Sequence, residues 1–158
     1  MTTGWAPRRW WRRLGSLTWA QRRVLVVAAL LVPATRAALR RPGFTATAAR
    51  LARWSSGTAR SHNKDQADQL VEAVALVAGR TLRGPKCLTR SMVAWFLLRR
   101  RGFDAVLRLG VPIASEGPFE AHAWVELDGA VVWEPADVQE RFGPFDLQLL
   151  RLTPSGDN

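Results

Sequence analysis

The chain has 158 residues, enough for one compact domain with its own core and too few for two of ordinary size. Its single cysteine excludes an internal disulfide, and one Cys with two His excludes a zinc site built on Cys/His spacing. The net charge of +10 is unevenly spread: residues 1–64 hold twelve Arg, one Lys and no acid, whereas residues 65–158 hold ten basic and thirteen acidic residues, so the second part is mildly acidic.

In chain order, residues 1–14, "MTTGWAPRRWWRRL", mix three tryptophans with four arginines. That mixture suits a frayed terminus, a membrane interface, an acidic partner or a phosphate-bearing polymer. From Ser16 or Thr18 as N-cap, a helix is expected to about Ala38, with Pro33 kinking or dividing it. Its uncharged stretch from Val24 to Thr35 is about half the ~20 residues a spanning helix requires. Twin arginines precede it, but Arg36, Arg40 and Arg41 follow where export signals turn neutral or acidic, so it reads as a non-spanning helix. "RRPGF" at 40–44 is a break, residues 45–55 are Ala/Arg-rich and helical, and "SSGTARSHNKD" is a polar linker in which His62 reads as a surface histidine. These features divide the chain into a basic helical region, 1–60, and a second domain, 61–158.

Leu70, Val71, Val74 and Val77 recur at helical spacing and predict a core-facing helix from Lys64 to Ala78, stopped by Gly79. After the "RGPKC" break, a second apolar helix runs from Cys87 to Arg101, with three arginines in its last turn and Gly102 beyond its end. The period then changes to two. "FDAVLRLGV" is a strand with Ala105, Leu107, Leu109 and Val111 on one face, and "FEAHAWVEL" and "AVVWE" form a hairpin about Asp128 and Gly129. Beyond them, a short helix or turn and a weak final strand are expected.

A cysteine at a helix start meets the positive end of the helix dipole and free amides, which favour the thiolate, and Lys86 adds positive charge. The backbone N–H of Cys87 is also placed to hold an oxyanion. His122 is the other candidate in the ordered part, on the strand face shared by Glu120, Trp124 and Glu126 and opposite the apolar set Phe119, Ala121, Ala123, Val125 and Leu127. A two-residue turn, Asp128 and Gly129, would set His122 against Pro135. A three-residue loop, 127–129, sets it against Glu134 and keeps Ala123, Val125, Val131 and Trp133 on one apolar face, which burial favours. Glu134 is thus the expected orienting carboxylate, with Asp137 the alternative if the strand bulges or ends early. Asp128, roughly 20 Å along the strand at ~3.3 Å per residue, is excluded. Singly, a lone Cys is more often a small hydrophobe, a lone strand His structural and Glu134 a surface acid; together they make a thiol active site.

"CLTRSMVAWFLLRRRGFDAVLRLGV" followed by "FEAHAWVELDGAVVWE" resembles the transglutaminase-like leader peptidases of lasso-peptide biosynthesis, in their stand-alone form. The resemblance is close over about residues 65–140. It implies an α+β papain/transglutaminase-like core, a helix bearing the cysteine packed on a small antiparallel sheet, with an N-terminal helical extension. It implies Cys87 as nucleophile, His122 as base and a third residue twelve positions after the histidine. That position usually holds Asp and here holds Glu134. The implied activity is removal of the leader from a lasso-peptide precursor at the leader-core junction. The implied partners are a separate leader-recognition protein and an ATP-dependent macrolactam synthetase, and the chemistry needs no metal or cofactor. A free thiol fits the cytoplasm, with membrane-surface contact open to the basic N-terminal region. Two other readings stand beside this one. The same fold could perform transglutaminase- or amidase-type acyl transfer, or a basic adaptor could bind membrane or nucleic acid beside an inert domain. The basic segment carries no groove-reading motif or aromatic strand, so nucleic acid is not expected.

Overall fold

The computed structural model describes residues 18–55, 63–84, 86–113, 121–135 and 137–144. Residues 1–17 with the Trp/Arg-rich stretch, most of the polar linker with His62, residues 114–120 with Glu120, and residues 145–158 lie outside them. Helix α1, Trp19–Arg40, begins in a reciprocal cap. Thr18 Oγ1 accepts from the Gln21 N–H (3.3 Å) while Gln21 Oε1 accepts from the Thr18 N–H (2.9 Å), satisfying two donors the helix cannot. Pro33 lies inside the unbroken helix on its exposed side, where water can serve the carbonyl that loses its donor. The break at 41–43 is made by Gly43, whose φ of 100° no other residue type adopts readily, and α2, Phe44–Trp54, starts from it.

Helix α3 spans Lys64–Thr81, capped by Asn63, whose side chain accepts from the Gln66 N–H at 3.2 Å. It passes through Gly79, which the sequence marks as its stop. The buried side chain of Leu82, just past the last turn, anchors that turn in the core, and its N–H still bonds Ala78. That burial outweighs the ~1 kcal/mol a helical glycine costs. Helix α4, Cys87–Arg100, is buried from Ser91 to Leu98 on every side and is the centre of the molecule. Gly102, at φ 84°, closes it: its N–H bonds Arg99 O and the Phe103 N–H bonds Leu98 O, the paired pattern of a glycine-terminated helix.

Four strands, β1 (Ala105–Pro112), β2 (His122–Leu127), β3 (Ala130–Val132) and β4 (Phe142–Pro144), form an antiparallel sheet in the order β3-β2-β1-β4, with the short helix α5, Val138–Arg141, leading into β4. One face of the sheet packs Ala105, Leu107 and Val125 against α4; α1, α2 and α3 cover the rest of that helix. Ala28, Val32, Ala48 and Leu51, from the helices before residue 60, belong to the same buried cluster as the residues of α3, α4 and the sheet.

The hairpin differs from the expected register. Val125 pairs with Val132, Glu126 with Val131 and Leu127 with Ala130, so the loop is two residues, Asp128 (φ 50°) and Gly129 (φ 80°), both left-handed. That is the turn whose twist matches two antiparallel strands. β3 is only three residues long and none is fully buried, so burial exerts little hold and turn chemistry sets the register. The opposite face of the sheet is also less open than the alternation of β2 implies. Trp124 is 1% exposed and Glu126 6%, because Arg108 of β1, Gln139 of α5 and Phe142 of β4 fold over them. Gly110 makes room for this layer. A Cβ there would stand 2.7 Å from Gly143 O and 2.9 Å from the Trp124 ring. Gly110→Ala should therefore destabilise the protein by about 1–3 kcal/mol, read as a lower urea midpoint with an unchanged m-value; an unaltered midpoint would show that the sheet yields at no cost.

Candidate active site

Helix α4 and strand β2 are fastened by side chains spaced one helical turn apart. The Cys87 thiol, half-buried at the first helical residue, lies 4.0 Å from the carbonyl oxygen of Ala121. One turn on, the buried Ser91 hydroxyl donates to Ala123 O at 2.7 Å. Four helical residues advance about 6 Å and two strand residues about 6.6 Å, so residues 87 and 91 keep step with 121 and 123. A further turn on, Trp95 Nε1 donates to Ala105 O of β1 at 3.1 Å. The position of Cys87 is therefore fixed by a packed helix and two buried hydrogen bonds farther along it.

His122 follows Ala121 and opens β2. Its half-buried ring stacks on Phe142 (5.0 Å between centroids) and on Trp124 (6.2 Å). Burial in this aromatic layer lowers the imidazole pKa, and the positive charges of Arg90 and Arg141 lower it further, so the ring is held neutral at neutral pH. Nε2 lies 3.6 Å from Glu134 Oε2. Among the described residues no hydrogen bond joins Cys87 to His122 directly; what meets the thiol is the peptide immediately before the histidine.

Glu134 reaches this place by a route the sequence does not show. In the observed register a continued β3 would set it opposite Ala123 on the core side, but pairing ends at Val132 and Trp133 adopts φ 63°. A bulky residue in that region is a real departure from ordinary backbone. It turns the chain so that the carboxylate stands between a guanidinium and an imidazole: Oε1 takes Arg90 Nη2, and Oε2 faces His122. Arg90 sits one turn after Cys87 on α4 and also lies over the Trp133 ring at 5.0 Å. Burial lowers the pKa of its guanidinium while the Cys87 charge works the other way. Asp137, the alternative third residue, is exposed and 3.8 Å from Arg141.

Arg90 and Ser91 have no assigned role in the sequence reading, although both occur in "CLTRS" at i+3 and i+4 from the cysteine, the spacing that shares its helix face. Glu126, read there as an outward-facing residue, is buried and accepts from Trp124 Nε1, Gln139 Nε2 and Arg108 Nε, each at 2.9 Å. Burial works against its charge, but those donors and the Arg108 charge outweigh it and hold the carboxyl below its ordinary range. It fixes the Trp124 indole, hence the floor under His122. Among the described residues no group of three His, Cys, Asp or Glu could hold a metal ion.

The arrangement can present a thiol at a helix start, a neutral imidazole on the adjoining strand and a carboxylate behind the imidazole, the parts that acyl transfer through a thioester needs. No curated protein and no solved structure matches the chain. A model of the transglutaminase-like superfamily matches residues 28–145, which begin inside α1, take in the helix bearing Cys87 and all four strands, and end just past β4. On that match, and with the α+β core that accompanies it, the chain belongs to the transglutaminase-like superfamily.

Proposed function

We propose that this chain is a cysteine peptidase that removes the leader from a lasso-peptide precursor. The observation that carries the chemistry is the placement of Cys87 against the peptide preceding His122, with Glu134 Oε2 3.6 Å behind the ring. The substrate assignment rests on the pairing of "CLTRS" with "AHAWVELDG" in the sequence.

With Nε2 turned to Glu134, Nδ1 is the ring atom left to take the Cys87 proton. The neutral ring accepts it, the sulfur attacks the scissile carbonyl, and the Cys87 N–H, which has no acceptor within α4, donates to the oxyanion. Glu134 stabilises the imidazolium formed in this step. The imidazolium then protonates the departing amine, leaving a thioester on Cys87, and His122 activates the water that hydrolyses it. Arg90 holds the other oxygen of Glu134 and so fixes its rotamer. Nothing in this machinery reads a peptide sequence. Selection of the precursor is assigned to a separate leader-recognition protein that captures the leader as an added strand, and the freed core passes to the macrolactam synthetase. A second reading, transfer of the acyl group to an amine, is supported by the family itself and shares every step as far as the thioester.

Incubation of the precursor and its recognition partner with this chain, followed by mass, tests the proposal. Wild type should release the leader, Cys87→Ala should release none, and equal cleavage by both would remove the peptidase reading; a product carrying an added amine in place of water would establish transfer. Glu134→Gln should slow cleavage by about a hundredfold or more, whereas Asp137→Asn should cost less than about fivefold, because Asp137 is an exposed partner of Arg141. The reverse order would move the third role to Asp137. The His122 ring should titrate by NMR with a midpoint below the ordinary value of about 6.5. Because the unfolded chain binds this proton more readily, the contribution of His122 to stability is intact above pH ~6.5 and is lost as pH falls through it. Arg90→Gln should raise the midpoint, and a wild-type midpoint above 6.5 would contradict the buried, cation-flanked setting of the ring.

A further inference from the structure

Helix α1 is apolar on two sides. Its inner side, Ala28 and Val32, lies in the core. Its outer side carries Trp19 (75% exposed), Val26 (60%) and Leu30 (69%), spaced i, i+7 and i+11 on one face, with exposed Arg22 and Arg23 on that face between Trp19 and Val26. An isolated exposed Leu needs no explanation, but three large apolar side chains exposed on one face of a 22-residue helix, with arginines among them, do. Next to that face, α1 and α4 enclose a groove of about 720 Å³ with Leu31, Leu70 and Phe96 among its apolar walls and Trp54, itself 66% exposed, at its side. Arg23, Arg100 and Arg101 also line it. No ion pair among the described residues engages those three arginines, and residues 1–64 contain no acid to meet them.

We propose that the outer face of α1 and this groove form a seat for an anionic phospholipid surface. The apolar side chains of that face enter the acyl boundary, the groove accepts an acyl chain, the arginines take phosphate, and Trp19 and Trp54 lie at headgroup level, where amphipathic rings are favoured. An acidic peptide would satisfy the arginines and fill the groove but would leave the convex face of α1 in water. A bilayer covers both. No helix among the described residues is long and apolar enough to cross a membrane, so the contact is interfacial. α4 orients it: Arg100 and Cys87 stand at opposite ends of that helix, about 20 Å apart, so the thiol end is held clear of the lipid.

The full chain should pellet with vesicles containing one-third phosphatidylglycerol, pellet weakly with phosphatidylcholine alone, and be released by salt. Arg23→Gln and Arg100→Gln should each weaken partitioning about fivefold. The double variant Val26→Glu, Leu30→Glu should weaken it more than about tenfold, with an unchanged unfolding transition because both side chains are mostly in water. Absence of pelleting overturns the proposal, and a dimer seen by sedimentation in that case would give the face to a second copy. Undiminished pelleting of the double variant overturns it too, by placing the contact elsewhere. Competition by inorganic phosphate at millimolar concentration would mean that the arginines act without the apolar side chains, which also ends it. Vesicle binding needs no peptidase activity, so loss of either proposal leaves the other standing.

Discussion

The buried hydrogen bond from Ser91 to the Ala123 carbonyl holds the rest in place, because it fixes the helix that carries the thiol to the strand that carries the imidazole. Neither element could be placed so well by apolar contact alone. Hydrophobic burial is non-directional and would let α4 slide along the sheet, whereas a short bond between buried groups permits one axial position. The bond is also obligatory in the other direction, since the Ser91 hydroxyl is buried and would otherwise be left without a partner. The Trp95 bond to Ala105 O fixes the far half of the same helix on β1. With α4 pinned at two points to two strands and enclosed by three helices, Cys87 has little freedom except in its own rotamer.

The imidazole is fixed by different means. It stacks on a floor of Trp124 and Phe142, and that floor depends on two features remote from the thiol: the missing side chain at Gly110, and the three hydrogen bonds that Glu126 accepts. Keeping the ring neutral follows from the same burial, reinforced by Arg90 and Arg141. Arg90 therefore acts on both partners of the pair. Its charge disfavours a proton on the ring, yet it also holds in place the carboxylate that faces that ring.

The helices were legible in the sequence because their signals are local. Caps, apolar stripes and the terminal glycine of α4 act within a turn or two, and α1, α2 and α4 fall close to the boundaries they dictate. Gly79 misled because a glycine marks a helix end only where nothing beyond it is buried, and Leu82 is buried. Cys87 and His122 could be picked out from residue type and element order. The hairpin register could not, because burial argues for one register on a strand that proves short and partly exposed, and the turn's two left-handed residues argue for the other. The pairing that points to Glu134 does not occur, and the residue reaches the histidine through the bend at Trp133. A backbone excursion of that kind at a tryptophan has no sequence signature. Nor had the outer layer, because Phe142 and Gln139 come from a segment whose period is too short to read.

A glutamate at position 134 fits this backbone path. Because pairing stops at Val132, residue 134 approaches the site from outside the ladder, on a segment turned by Trp133. Its carboxylate must reach two groups on different elements, the guanidinium on α4 and the imidazole on β2. With one oxygen committed to Arg90, the other still stands 3.6 Å from Nε2, slightly beyond a formed hydrogen bond. An aspartate on the same backbone, shorter by about one 1.5 Å bond, would have to give up one of the two. Losing Arg90 would leave a half-buried cation without its carboxylate beside the His122 ring, and losing His122 would leave Nε2 of that ring facing no carboxylate. The longer side chain is thus coupled to the bend: a strand that ran straight through 134 would have no use for the extra methylene, and one that bends at 133 cannot spare it.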